Sequence, residues 1–177
     1  MMALAGLGDS PPCRDHGDRQ RDSVGRMSVR AGLWSGLPDF DSAEHRYRVV
    51  ACPADVDLLI EALGVPGCND ATLEHFGRDT DDEGECDHSV VLAVRGAWGY
   101  LHYVDPDFSG WPVGDERAPH VNEAYTDFPP GVGVPLEVLR ALVLEFLETA
   151  RRPDAVRWYT EADLFPSWRT RRSAIPD

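Results

Sequence analysis

The stretch from Val134 to Trp158 constrains the fold most, because it holds the clearest helix pattern in the chain. Its apolar residues recur at intervals of three or four, which places them on one face of a helix; they are Leu139, Leu142, Val143, Phe146 and Leu147. Pro135 suits the first turn of that helix, and Pro153 disfavours helical geometry at the residue before it. The pattern predicts a helix over 135–150, about 24 Å long, that packs on one face of a small sheet.

Segments on both sides of this helix have the composition and alternation of β-strands. Strands are predicted over 46–52, 71–76, 88–95, 98–105, 108–113, 122–128 and 155–159. A shorter helix is predicted over 54–63, and the Gly96-Ala97 pair favours a hairpin turn. The predicted fold class is therefore α+β, with a mostly antiparallel sheet of about five to seven strands and two helices, the longer one (about 135–150) on one face.

The length of 177 residues fits one domain with additional sequence at both ends. Residues 1–38 are rich in Gly, Pro, Ser, Arg and Asp and have no sustained apolar period, so we expect a disordered N-terminal extension. Met27 is an alternative start within it. A single α+β domain is expected over 39–165, followed by a loose C-terminal tail over 166–177.

Charge is concentrated in the middle of the chain. Residues 1–48 balance seven arginines against seven acidic residues, whereas residues 49–147 carry 19 acidic and four basic residues, a net charge of −15. Such a field repels nucleic acid and anionic membranes and attracts basic proteins. We therefore expect a basic protein partner, and neither nucleic-acid binding nor membrane binding.

The cysteines and the N-terminus favour a cytoplasmic location. The four cysteines are widely and irregularly spaced, and no basic segment precedes the short apolar start of the chain. No run approaches the roughly 18 apolar residues of a membrane-spanning helix. We expect reduced thiols in a cytoplasmic protein.

The acidic run Asp79–Asp87 is the strongest local signal. Carboxylates at its first, third and fifth positions and Gly84 at the sixth resemble the start of an EF-hand loop, but Val90 occupies the twelfth position, where a glutamate is needed. A strand pattern follows instead of a helix. The run is therefore interpreted as a solvated loop or as a docking surface for a basic partner, with calcium binding disfavoured.

The sequence contains residue types that bind metals or catalyse reactions, but not in the patterns that such sites require. Cys86 and His88 lack a second pair of zinc ligands at the usual spacing. Two carboxylate pairs, Asp105/Asp107 and Asp115/Glu116, could in principle perform acid–base catalysis, but such pairs in an acidic protein are more often solvated surface. The sequence contains no nucleophile elbow, phosphate-binding loop or dinucleotide motif. We predict no enzymatic activity, no metal and no cofactor.

Aromatic residues cluster in the predicted sheet, and most must form the core. Alternation in the strand 98–105 places Leu101 and Tyr103 on one face and Tyr100 and His102 on the other. Trp111, next to Ser109-Gly110 and Pro112, is either an exposed anchor for a partner or a core residue.

The segments GYLHYVD and VPLEVLRALVLEFLETARRPDAVRW resemble the first family of immunity proteins from bacterial polymorphic toxin systems. The matching positions are Gly99, Tyr100, Val134, Pro135, Glu145, Phe146, Arg152, Pro153 and Trp158. The resemblance covers 47–158 and is most specific over 134–158. The family usually has Thr-Gly before Arg-Arg-Pro, where this chain has Thr149-Ala150, so a left-handed helix cap is in doubt there.

The resemblance implies a cytosolic antitoxin that blocks a cognate toxin domain, often a nuclease or deaminase. An acidic surface bearing aromatic residues can fill the basic groove that such a toxin uses for nucleic acid. We predict that the docking face comprises Asp81, Asp82, Glu83, Glu85, Asp105, Asp107, Trp111, Asp115 and Glu116. The alternatives are a general protein-interaction domain without a toxin partner and a small enzyme that uses the paired carboxylates.

Overall fold

The computed structural model describes residues 28–35, 46–78, 86–122 and 126–165. Its strands are β1 (Val29–Ser35), β2 (Arg46–Val50), β3 (Cys68–His75), β4 (Ser89–Arg95), β5 (Trp98–Asp105), β6 (Phe108–Pro112), β7 (Val121–Asn122), β8 (Asp127–Phe128), β9 (Val134–Pro135) and β10 (Trp158–Thr160). Its helices are α1 (Pro53–Leu63), α2 (Leu136–Thr149) and the single turn α3 (Glu161–Leu164). This is the predicted α+β class.

Eight of the strands form one sheet in the order β10-β6-β5-β4-β3-β1-β2, with β9 paired to β5. Every pairing is antiparallel. The predicted hairpin is confirmed, since β4 and β5 pair along their whole length and Gly96 takes a φ of 61° at the turn. Strands β7 and β8 form a separate two-stranded ribbon.

Both longer helices pack on one face of the sheet, which we call the helix face. Five residues of α2 are buried there, as the helix pattern predicts: Leu139, Leu142, Val143, Phe146 and Leu147. Gly99 of β5 lies directly under Leu139, and an added Cβ would sit 2.6 Å from a Leu139 methyl carbon. Leu101 and Tyr103 share this face, and both are fully buried.

The opposite or outer face is only partly covered. A covering layer, made of residues 113–122 and 126–133 together with α3, packs on strands β4, β5, β6 and β10. There Phe128 and Val132 bury Tyr100 and Trp111. Within the described part of the chain, this layer does not extend over β1 and β2. Tyr47 and Val49 of β2 are 59% and 60% exposed. We call the outer face of β1 and β2 the bare edge.

Helix α2 ends in a left-handed cap even though the capping residue is an alanine. Ala150 has φ 56° and ψ 21°, and its N–H donates to the Phe146 carbonyl. The doubt raised by the missing glycine is therefore resolved in favour of the cap. The left-handed region costs an L-residue about 1–2 kcal/mol, so Ala150 holds backbone strain at the end of the helix.

The expectation of disorder over residues 1–38 is wrong for Val29–Ser35. This segment is β1, an inner strand between β2 and β3, with Val29 and Ala31 buried on the helix face. The short alternation in VRAGLW is isolated among polar residues, so its apolar period was too brief to recognise. The folded domain therefore begins before residue 39, whereas residues 1–27 and the tail over 166–177 lie outside the described residues.

Three smaller expectations also change. The predicted strand over 122–128 is replaced by the short strands β7 and β8. The segment 155–159 forms a strand only from Trp158 onward. Cys68 and Cys86 are free thiols, but Cys52 is disulfide-bonded, so the expectation of reduced thiols is wrong at that position.

Candidate functional site

An open groove of about 840 Å³ lies where β3, β5 and α2 all end. It is lined by charged residues, small residues and two aromatic rings, namely Gly77, Arg78, Asp87, Tyr103, Asp105, Asp107, Phe108, Thr149, Ala150, Arg151, Arg152 and Asp154. Strands β3 and β5 are both antiparallel to β4, which lies between them, so they run in the same direction. The residues that follow these two strands therefore emerge at the same end of the sheet. The groove is thus built on rigid elements, and its wall on the helix side is the strained end of α2.

Arg78 is the centre of the groove's polar network. Its Nε and Nη2 donate to the two carboxylate oxygens of Asp87 at 2.8 and 2.6 Å, a bidentate ion pair. Its Nη1 donates to the Tyr103 hydroxyl at 2.8 Å and lies 3.4 Å from the Asp105 carboxylate and 3.3 Å from the Ala150 carbonyl. Arg78 therefore connects the segment before β4, strand β5 and the end of α2 through one guanidinium group.

Two histidines extend this network under the helix. The backbone N–H of His75 donates to His88 Nε2 at 2.7 Å, so the His88 proton resides on Nδ1, 2.9 Å from Asp87. The Gly77 N–H donates to His75 Nδ1 at 2.8 Å, and His75 Nε2 donates to the Leu147 carbonyl at 2.8 Å. Both imidazoles are thus fixed in one neutral tautomer by backbone groups, and burial lowers the pKa of His88 despite the adjacent Asp87.

The network keeps its acidic groups ionised. The hydrogen bonds from Arg78 lower the pKa of Asp87. Burial opposes ionisation of Asp105, but the hydrogen bonds from the Tyr103 hydroxyl and the Asp107 N–H and the charge of Arg78 outweigh it, so the pKa of Asp105 is also lowered. Burial, together with the hydrogen bond to Asp105, raises the pKa of Tyr103 to about 12. At neutral pH the groove therefore presents fixed carboxylates and a neutral phenol.

This arrangement suits binding better than catalysis. The acid–base groups at the base of the groove are each engaged by protein partners, which favours a structural network. Nearer to solvent, Asp107, Asp154 and Arg151 are exposed, and the Arg152 guanidinium lies 3.8 Å from the centre of the Phe108 ring. The groove thus offers acidic groups beside an aromatic ring and guanidinium groups, and aromatic residues and arginine are enriched at protein interfaces.

The predicted docking residues do not all meet at this groove. Asp105 and Asp107 line it. Asp115 and Glu116 lie instead in the covering layer, where Asp115 forms an ion pair with Arg117 that lowers the pKa of Asp115 to about 2. Four further predicted residues lie outside the described residues: Asp81, Asp82, Glu83 and Glu85. Arg78, the last described residue before this segment, and Asp87, the second described residue after it, both line the groove.

The interpretation of Trp111 as an exposed anchor is wrong. Its side chain is 5% exposed, and it stacks on His102 with ring centroids 4.5 Å apart and planes 9° apart. Gly110 pairs with Tyr103 and therefore lies on the helix face. Trp111 is the next residue, so its indole points to the outer face and into the covering layer. Burial also lowers the pKa of His102 to about 4. The core alternative for Trp111 is therefore confirmed.

Sequence reasoning missed the basic half of the site. Arg78, Arg151 and Arg152 line the groove together with four aspartates, so it is not the purely acidic surface that the net charge suggests. One signal could have indicated Arg78. It is one of only four basic residues over 49–147, and it lies immediately before the acidic run.

Among the described residues no cluster of three or more His, Cys, Asp or Glu side chains is placed to hold a metal ion. The segment with the partial EF-hand pattern falls largely on 79–85, outside that part of the chain. No helix in the described ranges is long and apolar enough to cross a bilayer.

Comparison with known protein families identifies a match. The family described as "Immunity protein Imm1" matches residues 44–160, which is more than half of the chain and includes both longer helices and strands β2 to β10. No curated protein and no solved structure matches the chain.

Proposed function

Because the chain belongs to the Imm1 family of immunity proteins, we propose that it binds a cognate toxin domain of a polymorphic toxin system in the cytoplasm and neutralises it without turnover. The toxin is a basic domain acting on nucleic acid, as a nuclease or a deaminase. The alternative of an enzyme using paired carboxylates is disfavoured, because the Asp105 carboxylate is held by Tyr103, the Asp107 N–H and Arg78.

The observation that carries the proposal is the pair of aspartates at the groove. Asp105 is fixed and ionised, and the exposed Asp107 follows it at the β5–β6 turn. No described residue donates a hydrogen bond to the Asp107 carboxylate, which leaves it available to a basic side chain of the toxin. Charge of this kind accelerates association with a basic partner and fixes its orientation.

The rigidity of the groove supports the same function. Binding is costly when loops and side chains must be ordered on association. Here the Arg78 network holds Asp87, Tyr103 and Asp105 in place before any partner arrives. A preorganised surface of this kind loses little conformational entropy on binding, so more of the contact energy appears as affinity.

The test is binding to the toxin domain encoded immediately upstream of this chain. The purified pair should form a stable complex, and the chain should abolish the toxin's activity on nucleic acid. Failure of the wild-type chain to bind that domain would contradict the proposal and favour a general interaction domain.

A charge reversal then tests the docking face. Asp107→Arg should slow association with the toxin domain about tenfold and flatten its dependence on salt concentration. Glu61→Arg is the matched control, because Glu61 is exposed on α1 and its reversal changes the net charge equally. Equal effects of both substitutions would show that only the overall charge matters and would move the interface away from the groove.

A further inference from the structure

The bare edge differs from the rest of the sheet in both chemistry and hydrogen bonding. Strand β2 ends the sheet order, and among the described residues it pairs only with β1. An antiparallel edge strand directs alternate N–H and C=O groups away from its single neighbour. Such an edge can receive one further strand, and proteins commonly protect their edges against this.

Exposed apolar side chains lie on this last strand of the described sheet. Tyr47 and Val49 lie on the outer face of β2, and each exposes more than half of its surface. Neither is needed for the core, whose β2 member is Val50 on the helix face. Apolar residues that are more than half exposed, on a strand that ends the described sheet, are features that a strand-adding partner uses, because backbone bonds give affinity and side chains give specificity.

The charge of β2 indicates which partner fits. The strand reads Arg46-Tyr47-Arg48-Val49-Val50, a basic segment in a chain whose formal net charge is −14. Arg48 is exposed on the helix side of the edge. A second copy pairing antiparallel about Arg48 would place two arginines directly opposite each other, which is destabilising. A strand that carries a carboxylate opposite Arg48 and apolar residues opposite Tyr47 and Val49 is complementary.

The bare edge also lies at the same end of the sheet as the groove. Val50, Val29 and His75 form one cross-strand row, and His75 immediately precedes the segment that enters the groove. Neighbouring strands are about 4.8 Å apart, so the four spacings from β2 to β5 amount to roughly 19 Å. A standard interface buries about 800 Å² per partner, enough for one partner to contact both regions.

We propose that β2 receives an extended, acidic strand of the cognate toxin by antiparallel or parallel strand addition, with Tyr47 and Val49 contacting its apolar residues and Arg48 pairing with its carboxylate. This inference rests on the proposed function for the identity of the partner. The toxin then meets two surfaces of opposite sign, the aspartates at the groove and Arg48 of β2, and that pattern fixes its orientation and excludes toxins with other charge patterns.

The test compares complexes of the toxin domain encoded upstream with the wild-type chain and three substituted chains. Arg48→Glu should weaken the complex at least tenfold, whereas the matched reversal Arg157→Glu, at another exposed arginine, should leave the dissociation constant within about twofold. Val49→Asp should weaken the complex by a similar factor to Arg48→Glu. All three substitutions are at exposed positions, and a thermal unfolding curve checks that each variant is folded.

Hydrogen exchange separates strand addition from contacts through side chains alone. The amides of residues 46–50 that point away from β1 should exchange at least tenfold more slowly in the complex than in the free chain. Unchanged exchange at these amides, or unchanged affinity of the Arg48→Glu chain, would overturn the inference while leaving the proposed function intact. Self-association of the free chain that Val49→Asp abolishes would identify a second copy as the occupant and would also overturn it. Absence of any wild-type complex would instead contradict the proposed function.

Discussion

The two parts of the outer face show how differently one sheet can be used. Over β4, β5, β6 and β10 the covering layer buries Tyr100 and Trp111, and Phe128 is fully buried against them. At the bare edge Tyr47 lies against Gly32 and beneath the Arg30 guanidinium, 5.0 Å from its ring centre, and it is 59% exposed. The covered part therefore contributes to stability, whereas the bare edge is where we propose that a partner binds.

The largest expected difference is between two aromatic truncations. Phe128→Ala should lower the free energy of unfolding by about 3–5 kcal/mol, because it empties a fully buried site whose ring centre lies 5.5 Å from that of Tyr100. Tyr47→Ala, in contrast, should cost less than about 1 kcal/mol, because its side chain is mostly in solvent. Urea unfolding of both variants at pH 7 measures this. Comparable losses would mean that the bare edge is a packed surface.

Acidification should destabilise the covered part through His102. The pKa of His102 is about 4 in the folded chain and about 6.5 in the unfolded chain. As the pH falls from 6.5 towards 4, the unfolded state binds a proton that the folded state does not, so stability decreases by up to about 3 kcal/mol. His88, whose pKa is also lowered in the folded chain, reduces stability on acidification in the same way. The lowered pKa values of Asp87 and Asp105 cause a loss of stability only below about pH 4.

The control for this pH dependence is His102→Gln, which keeps a polar planar group beside Ser109, 3.2 Å from His102 Nε2. Unfolding free energies at pH 7 and pH 5 should differ less in this variant than in the wild-type chain. If the two chains lose the same stability, His102 is not the group responsible.

Two glycines extend the comparison to the helix face. Gly99→Ala should cost about 1–3 kcal/mol, since the new Cβ would overlap Leu139 under the helix. Gly32→Ala should change stability by less than about 0.5 kcal/mol. Its Cβ would lie 3.3 Å from the exposed ring of Tyr47, which can shift, and at an ordinary contact distance of 3.9 Å from the Thr72 carbonyl oxygen. Chemical unfolding again distinguishes them, and a large loss at Gly32 would show that the bare edge is rigid.

The sequence predicted those parts of the fold that periodicity determines. Helix α2, helix α1 and the β4–β5 hairpin were correct because their apolar residues repeat over many positions. The two faces of β5 followed from alternation alone, with Tyr103 and Tyr100 buried on opposite sides. Strand β1 was missed because its few apolar residues are meaningful only when β2 and β3 lie beside it.

The candidate site was less predictable, because it depends on which chain ends meet in space. Asp105 and Asp107 were singled out by composition, and they do reach the groove. Nothing in the sequence shows that Arg78 bonds to residues on β5 and at the end of α2 at once. Trp111 was ambiguous for a related reason, since its burial depends on a covering layer made of short strands and loops.

The smallest expected effect concerns strain at the groove, and it separates backbone conformation from packing. Ala150→Gly should raise the free energy of unfolding by up to about 1 kcal/mol, because glycine adopts the left-handed region without the Cβ clash while adding some entropy to the unfolded chain. Ala141→Gly is the matched control, at an exposed position inside α2 where the same change should cost about 1 kcal/mol. A gain in unfolding free energy at Ala150 together with a loss at Ala141 would show that Ala150 holds strain that the packed helix maintains. A loss at both would mean that the cap is not strained, and the wall of the groove would then be held by packing and hydrogen bonds alone.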